Sequence, residues 1–86
     1  MNNTLKYGEL EAMLGQLGFQ SVQSSGPQRV FQNSTFDAVI VLPPLNAAER
    51  VRPHHLATVR KLVIERGIAD REVFDRLLED RPLAKA

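Results

Sequence analysis

The run Arg50-Val51-Arg52-Pro53-His54-His55 concentrates more side chains able to do chemistry than any other part of this chain. Proline suits the first turn of a helix. Arg50 and Arg52 would therefore stand beside the free N–H groups of a helix start, where the helix dipole already favours an anion. Guanidinium adds bidentate donors that match phosphate oxygens. The alternative is a pair of arginines in a solvated loop. His54 and His55 are neighbours, so on a helix they point in different directions. A helical metal pair wants i, i+4 spacing, and no Cys and no third His completes a zinc site. Neither a metal nor a cofactor is expected.

A second candidate is Gly26-Pro27-Gln28-Arg29. Gln28 donates and accepts hydrogen bonds but does not titrate, so it suits holding a ribose or phosphate rather than moving a proton. It reads equally well as a strand-edge residue with no role. Side chains alternate along a strand, so Gln28 and Val30 share one face and Arg29 and Phe31 the other. Arg29 is then expected to be a cross-strand partner for an acid such as Asp37.

Charge is unevenly spread behind a net +1. Residues 1–49 carry Lys6 and Arg29 against Glu9, Glu11, Asp37 and Glu49. Residues 50–66 carry Arg50, Arg52, Arg60, Lys61 and Arg66 against Glu65 alone, and residues 67–86 are slightly acidic. An anionic partner would be drawn to the middle segment, unless these charges only solvate a helix face.

The elements that must position these groups follow from periodicity. Leu10, Met13, Leu14 and Leu17 form one helical stripe, with Thr4 as a candidate N-cap and Gly18 as a stop. Gly15 interrupts the stripe, either to let a strand approach closely or as a weak spot. Phe19–Gln23 reads as a weak strand, Arg29–Gln32 as a second, and Phe36–Leu42 as the strongest. The near-continuous apolar run Ala38-Val39-Ile40-Val41-Leu42 predicts a central strand or one covered on both faces. Pro43-Pro44 ends it. A second helix begins at Pro53, with Leu56, Val59, Leu62 and Val63 inward, His55 beside that stripe, and His54, Thr58, Lys61 and Glu65 opposite. Lys61 and Glu65 form an i, i+4 pair. Gly67 ends this helix. Asp70 caps a third, striped by Val73, Phe74, Leu77 and Leu78 and ended by Pro82, leaving Leu83–Ala86 as a tail.

The predicted class is α+β, in the order α-β-β-β-α with an extra C-terminal helix. Short turns between sequential strands favour a three-stranded antiparallel sheet, with helices on one face. At 86 residues this is a single domain, 1–86, with its core at about 5–79 and a tail at 80–86. No Cys fits a reducing, cytoplasmic setting. The longest apolar run, Ala38–Leu45, is far short of the roughly 20 residues that span a bilayer. No signal peptide is read at the N-terminus. Phe19, Phe31 and Phe74 read as core, which leaves no stacking platform of the kind that single-strand binders use.

Leu14 to Phe19, Gly26 to Phe31, the strand ending in Leu42-Pro43, the Arg52-Pro53 entry and the Leu56–Ile68 helix, taken in this order, resemble the HicA-like toxins. These are small RNA-cleaving proteins with a double-stranded-RNA-binding-domain-like fold. The resemblance covers roughly residues 5–79. It implies a basic loop before the second helix, an antitoxin-like protein partner, and a Gly-Ser-His element whose His is catalytic. Here that triplet is Gly26-Pro27-Gln28. An amide cannot perform the general acid–base work of imidazole. The expectation is thus an RNA-binding HicA-like protein, catalytically weak or inactive, with Gln28, Arg50, Arg52, His54 and Lys61 as RNA-binding residues. The alternative is a protein-interaction module on the same fold, as a homodimer or against an antitoxin-like partner. A third reading makes His54 a surrogate catalytic group. No membrane is expected as a partner.

Overall fold

The computed structural model describes residues 5–44 and 46–80. Its elements are α1 (Tyr7–Gln16), β1 (Gln20–Val22), β2 (Arg29–Asn33), β3 (Ala38–Leu42), α2 (Pro53–Glu65) and α3 (Arg71–Asp80). This is the α+β order read from the sequence, with a three-stranded antiparallel sheet in the order β1-β2-β3.

Helix α1 starts later than the sequence suggested. Lys6, in extended conformation, is its N-cap, and its N–H donates to Glu9 Oε1 at 3.0 Å. The carboxylate thus occupies the positive end of the helix. The proposed cap Thr4 lies outside the described residues, as do Pro82 and the tail. Gly18 takes a φ of +94°, and Phe19 N–H reaches back to the Leu14 carbonyl, which closes the helix. Nothing lies within 4 Å of the place where a Cβ at Gly15 would sit. No strand approaches there, and the weak-spot reading holds. Gly15→Ala is expected to stabilise the domain by about 0.5–1 kcal/mol, measured by urea denaturation.

Phe31, Ala38, Ile40 and Leu42 are buried on the helix-facing side of the sheet, in one core with Tyr7, Leu10, Met13, Leu14, Val59, Val63 and Phe74. Asn33, also buried, donates from Nδ2 to the Leu17 carbonyl at 3.0 Å and ties the end of β2 to the end of α1. The hairpin closes at Asn33↔Ala38, so Phe36 and Asp37 belong to the turn rather than to the strand. Asp37 there adopts a φ of +53°.

This turn corrects the expected Arg29–Asp37 pair. Arg29 is opposite Leu42, at the far end of the β2–β3 ribbon from Asp37. Arg29 instead reaches across to α1 and meets Glu11, Nε to Oε2 at 2.9 Å and Nη2 to Oε1 at 3.2 Å. The position of β3 is a second correction. It is an edge strand, not a central one, and its other face is open: Val39 is 50% exposed and Val41 58%.

Two side-chain contacts fix α3. Asp70 Oδ1 accepts from Val73 N–H at 2.9 Å, as the sequence suggested for a cap. Arg60 of α2 donates to both carboxylate oxygens of Asp75, at 3.1 and 3.2 Å. This hydrogen bonding, more than the charge itself, holds the Asp75 carboxyl below its ordinary value. Phe74 is fully buried and Leu77 and Leu78 pack on the core, but Val73 turns outward.

Candidate nucleic-acid interface

The loop before α2 is held by the N-terminal segment. Val51 N–H donates to the Leu5 carbonyl at 2.8 Å, Tyr7 N–H to Glu49 at 2.9 Å and Gly8 N–H to Ala47 at 2.9 Å, with a bridge between Lys6 and Arg50. A Cβ on Gly8 would come within 3.1 Å of the Ala47 Cβ, so a small residue on each side allows this seam. That gives Ala47 a structural purpose in this loop.

Val51 is buried, and the arginines on either side of it are exposed. Arg52 is the N-cap of α2 in extended conformation, with Pro53 at the first turn. The cap makes no side-chain hydrogen bond, and no acidic residue stands in the first turn. Among the described residues, neither Arg50 nor Arg52 has an ion-pair partner, whereas Arg60 is committed to Asp75 and Lys61 lies 4.0 Å from Glu65. Arg66 is also without an ion-pair partner among the described residues but stands at the far end of α2, so at the helix entry the positive segment narrows to the Arg50 and Arg52 guanidinium groups beside a first turn with no acidic residue.

His54 and Lys61 lie seven residues apart on α2, which places them on one exposed face. Gln28 is not part of that face. It is exposed in the β1–β2 connection, just ahead of β2. The Ser24 hydroxyl lies 3.0 Å from the Gly26 carbonyl and 2.9 Å from that of Gln28, which tightens this turn. The Gln28 side chain folds back over Gly26, where a Cβ would come within 2.5 Å of its Oε1. Because Arg29 is opposite Leu42, the Gln28 turn and the start of the loop to Arg50 are at the same end of the sheet. No hydrogen bond joins Gln28 to Arg50, Arg52, His54 or Lys61 among the described residues.

The sequence reading missed one arrangement. Tyr7, almost fully buried, places its hydroxyl 2.7 Å from His55 Nδ1, and the rings of His54 and His55 are 4.2 Å apart. Partial burial, then His54, then Arg52 lower the His55 pKa from its ordinary 6.5. With the ring proton on Nε2, a neutral imidazole accepts the tyrosine hydroxyl proton at Nδ1, and protonation of the ring would remove that acceptor. The unfolded chain protonates this histidine near pH 6.5, but the folded chain does so only at lower pH. The His55 contribution to stability is thus whole above pH 6.5 and is lost as pH falls through the folded value. Urea denaturation at about pH 7.5 and 5.5 should show a loss of stability that shrinks in His55→Gln, whose amide still accepts from Tyr7.

Among the described residues no group of three or more His, Asp or Glu is placed to hold a metal ion, and no helix is long and apolar enough to cross a membrane. Compared with protein-family models, characterised proteins and solved structures, the chain matches none.

Proposed function

We propose that this protein binds RNA through its phosphates at the entry to α2, as a HicA-like domain with little or no cleavage activity. The observation that carries this reading is the pair Arg50 and Arg52, both exposed and without an ion-pair partner among the described residues, beside an N-terminus of α2 that no acidic side chain compensates. Pro53 has no N–H and the His55 N–H is bonded to the Arg52 carbonyl, so the helix dipole and the two guanidinium forks are what favour a phosphate oxygen here. His54 and Lys61 extend the face along α2, and Gln28 would add a hydrogen bond from the turn at the same end of the sheet. The resemblance to HicA-like toxins supplies RNA as the anionic polymer and an antitoxin-like protein as a partner for this face.

Absence of cleavage follows from the chemistry of Gln28. An amide neither takes up nor releases a proton near neutrality, so no acid–base group stands at the position that the family fills with His. His55 does not stand at that position: its Nδ1 is bonded to Tyr7, and no hydrogen bond joins it to Gln28 among the described residues.

The test is binding of a labelled RNA at about 50 and 200 mM salt, with cleavage followed in the same samples. Binding that weakens steeply with salt, without cleavage, is the expected result. No binding at either salt would sink the RNA reading.

A further inference from the structure

The near-continuous apolar character of β3 calls for cover on both faces, yet among the described residues of one copy only one face is covered. Val39 and Val41 are more exposed than any other large apolar residue described. The register places Val22, Val30 and Val41 in one row across the open face, and Gln20, Gln32 and Val39 in the next. The free edge carries none of the usual protection. It has no charge, no internal proline and no bulge, and the ladder with β2 runs one-to-one from Asn33↔Ala38 to Arg29↔Leu42.

We propose that β3 is the contact between two copies of this chain, paired antiparallel about a two-fold axis at Ile40. In that register Ala38 faces Leu42 of the second copy, Val39 faces Val41, and Ile40 faces Ile40. The strand is self-complementary in size, with small opposite large and β-branched opposite β-branched. Four valines then meet on the open face, flanked by the two Val30 side chains, with Gln20 and Gln32 at the rim. This is the apolar centre and polar border of a protein interface.

Charge favours a second copy over a partner of other chemistry. A two-fold contact brings the same patch of both copies together, which is costly for a patch of one charge. Neither β3 nor the groove of about 120 Å³ that it forms with α2 contains Asp, Glu, Lys or Arg. The groove is lined on the helix side by His55, Thr58, Val59 and Leu62. His55 is its only titratable group, and with Tyr7, His54 and Arg52 around it, it is neutral at physiological pH. A strand of this length spans about 17 Å, and on its own it buries less than the roughly 1,200 Å² of a stable interface. The exposed Thr58 and half-buried Leu62 side of α2 must add to it, so the dimer is weak and forms at micromolar concentrations or above.

This inference does not rest on RNA binding, and its test uses the full chain without RNA. Sedimentation velocity from about 10 µM to 1 mM should show a reversible monomer–dimer equilibrium. Val39→Lys with Val41→Lys replaces side chains that are already exposed and brings four ammonium groups around the axis. It should weaken dimerisation by about tenfold or more while circular dichroism stays unchanged. Hydrogen exchange in the wild-type protein gives a second readout that needs no variant: raising the concentration should slow exchange in β3 and leave the other edge strand, β1, unchanged. A monomer at all concentrations, a dimer indifferent to the two lysines, or slowing in β1 instead of β3 would each overturn the proposal.

Discussion

Replacing Tyr7 by alanine is expected to cost about 3–5 kcal/mol, the usual range for deleting a fully packed aromatic side chain. A domain of this size has about 4–13 kcal/mol in total, so the variant would sit at the margin of folding. Tyr7 is 1% exposed, and its position explains the size of the effect. Its backbone N–H is bonded to Glu49, its ring lies in the core, and its hydroxyl meets His55 in the first turn of α2. One residue thereby joins α1, the basic loop and α2. Tyr7→Phe separates these contributions. It keeps the ring and removes only the hydrogen bond, and His55, being half-buried, recovers a partner in water. The expected loss is about 1 kcal/mol, or a melting temperature lower by about 4–8 °C, against a fall of about 15–30 °C for Tyr7→Ala. A Tyr7→Phe variant as unstable as Tyr7→Ala would mean that the hydroxyl, not the packing, holds the junction.

Much of the fold was legible because its punctuation is local. Pro53 marks the start of α2, Gly18 and Gly67 take the left-handed conformations that end α1 and α2, and Asp70 caps α3 through its own side chain. The features that were not legible depend on which elements become neighbours. A run such as Ala38–Leu42 has the same pattern whether its second face meets a helix, another sheet or water. The element that packs on that face decides this, and it is not written in the strand. Arg29 was assigned to Asp37 because both fall in one hairpin. The register then placed them at opposite ends, and Glu11, on a helix, took the role. The Tyr7–His55 hydrogen bond links residues 48 positions apart, and no periodicity or motif signals it. Composition located the candidate site only coarsely. Five basic residues mark the segment 50–66, and spacing alone pairs Lys61 with Glu65, but only the structure shows that Arg60 is bound to Asp75 while Arg50, Arg52 and Arg66 have no ion-pair partner among the described residues.

The variant Arg50→Ala with Arg52→Ala is where the proposed function is most exposed to failure. Each arginine that contacts a phosphate displaces about one counterion, so the salt slope of RNA binding should flatten by roughly 0.7–0.9 per contact, or nearly 2 in all. Affinity near 100 mM salt should fall by about tenfold or more, and to a similar degree for unrelated RNA sequences, because phosphate contacts carry no base information. Stability should barely change. Both side chains are exposed, and the seam that anchors the loop uses the backbone of Val51, Glu49 and Ala47. Arg60→Ala is the matching control. It removes one positive charge from the body of α2 and breaks the Arg60–Asp75 link, so it should loosen α3 while leaving the salt slope almost intact. A double variant that binds with unchanged affinity and slope would remove the α2 entry as the phosphate site. Gln28→His, made in the wild-type background, addresses catalysis separately. A histidine needs supporting groups that fix its position and tautomer, and Gln28 is exposed in a turn where the Ser24 hydroxyl bonds its carbonyl. Cleavage is therefore expected to stay near background. Efficient cleavage by this single variant would show that the surrounding residues still form a complete site, and that Gln28 alone keeps the protein silent.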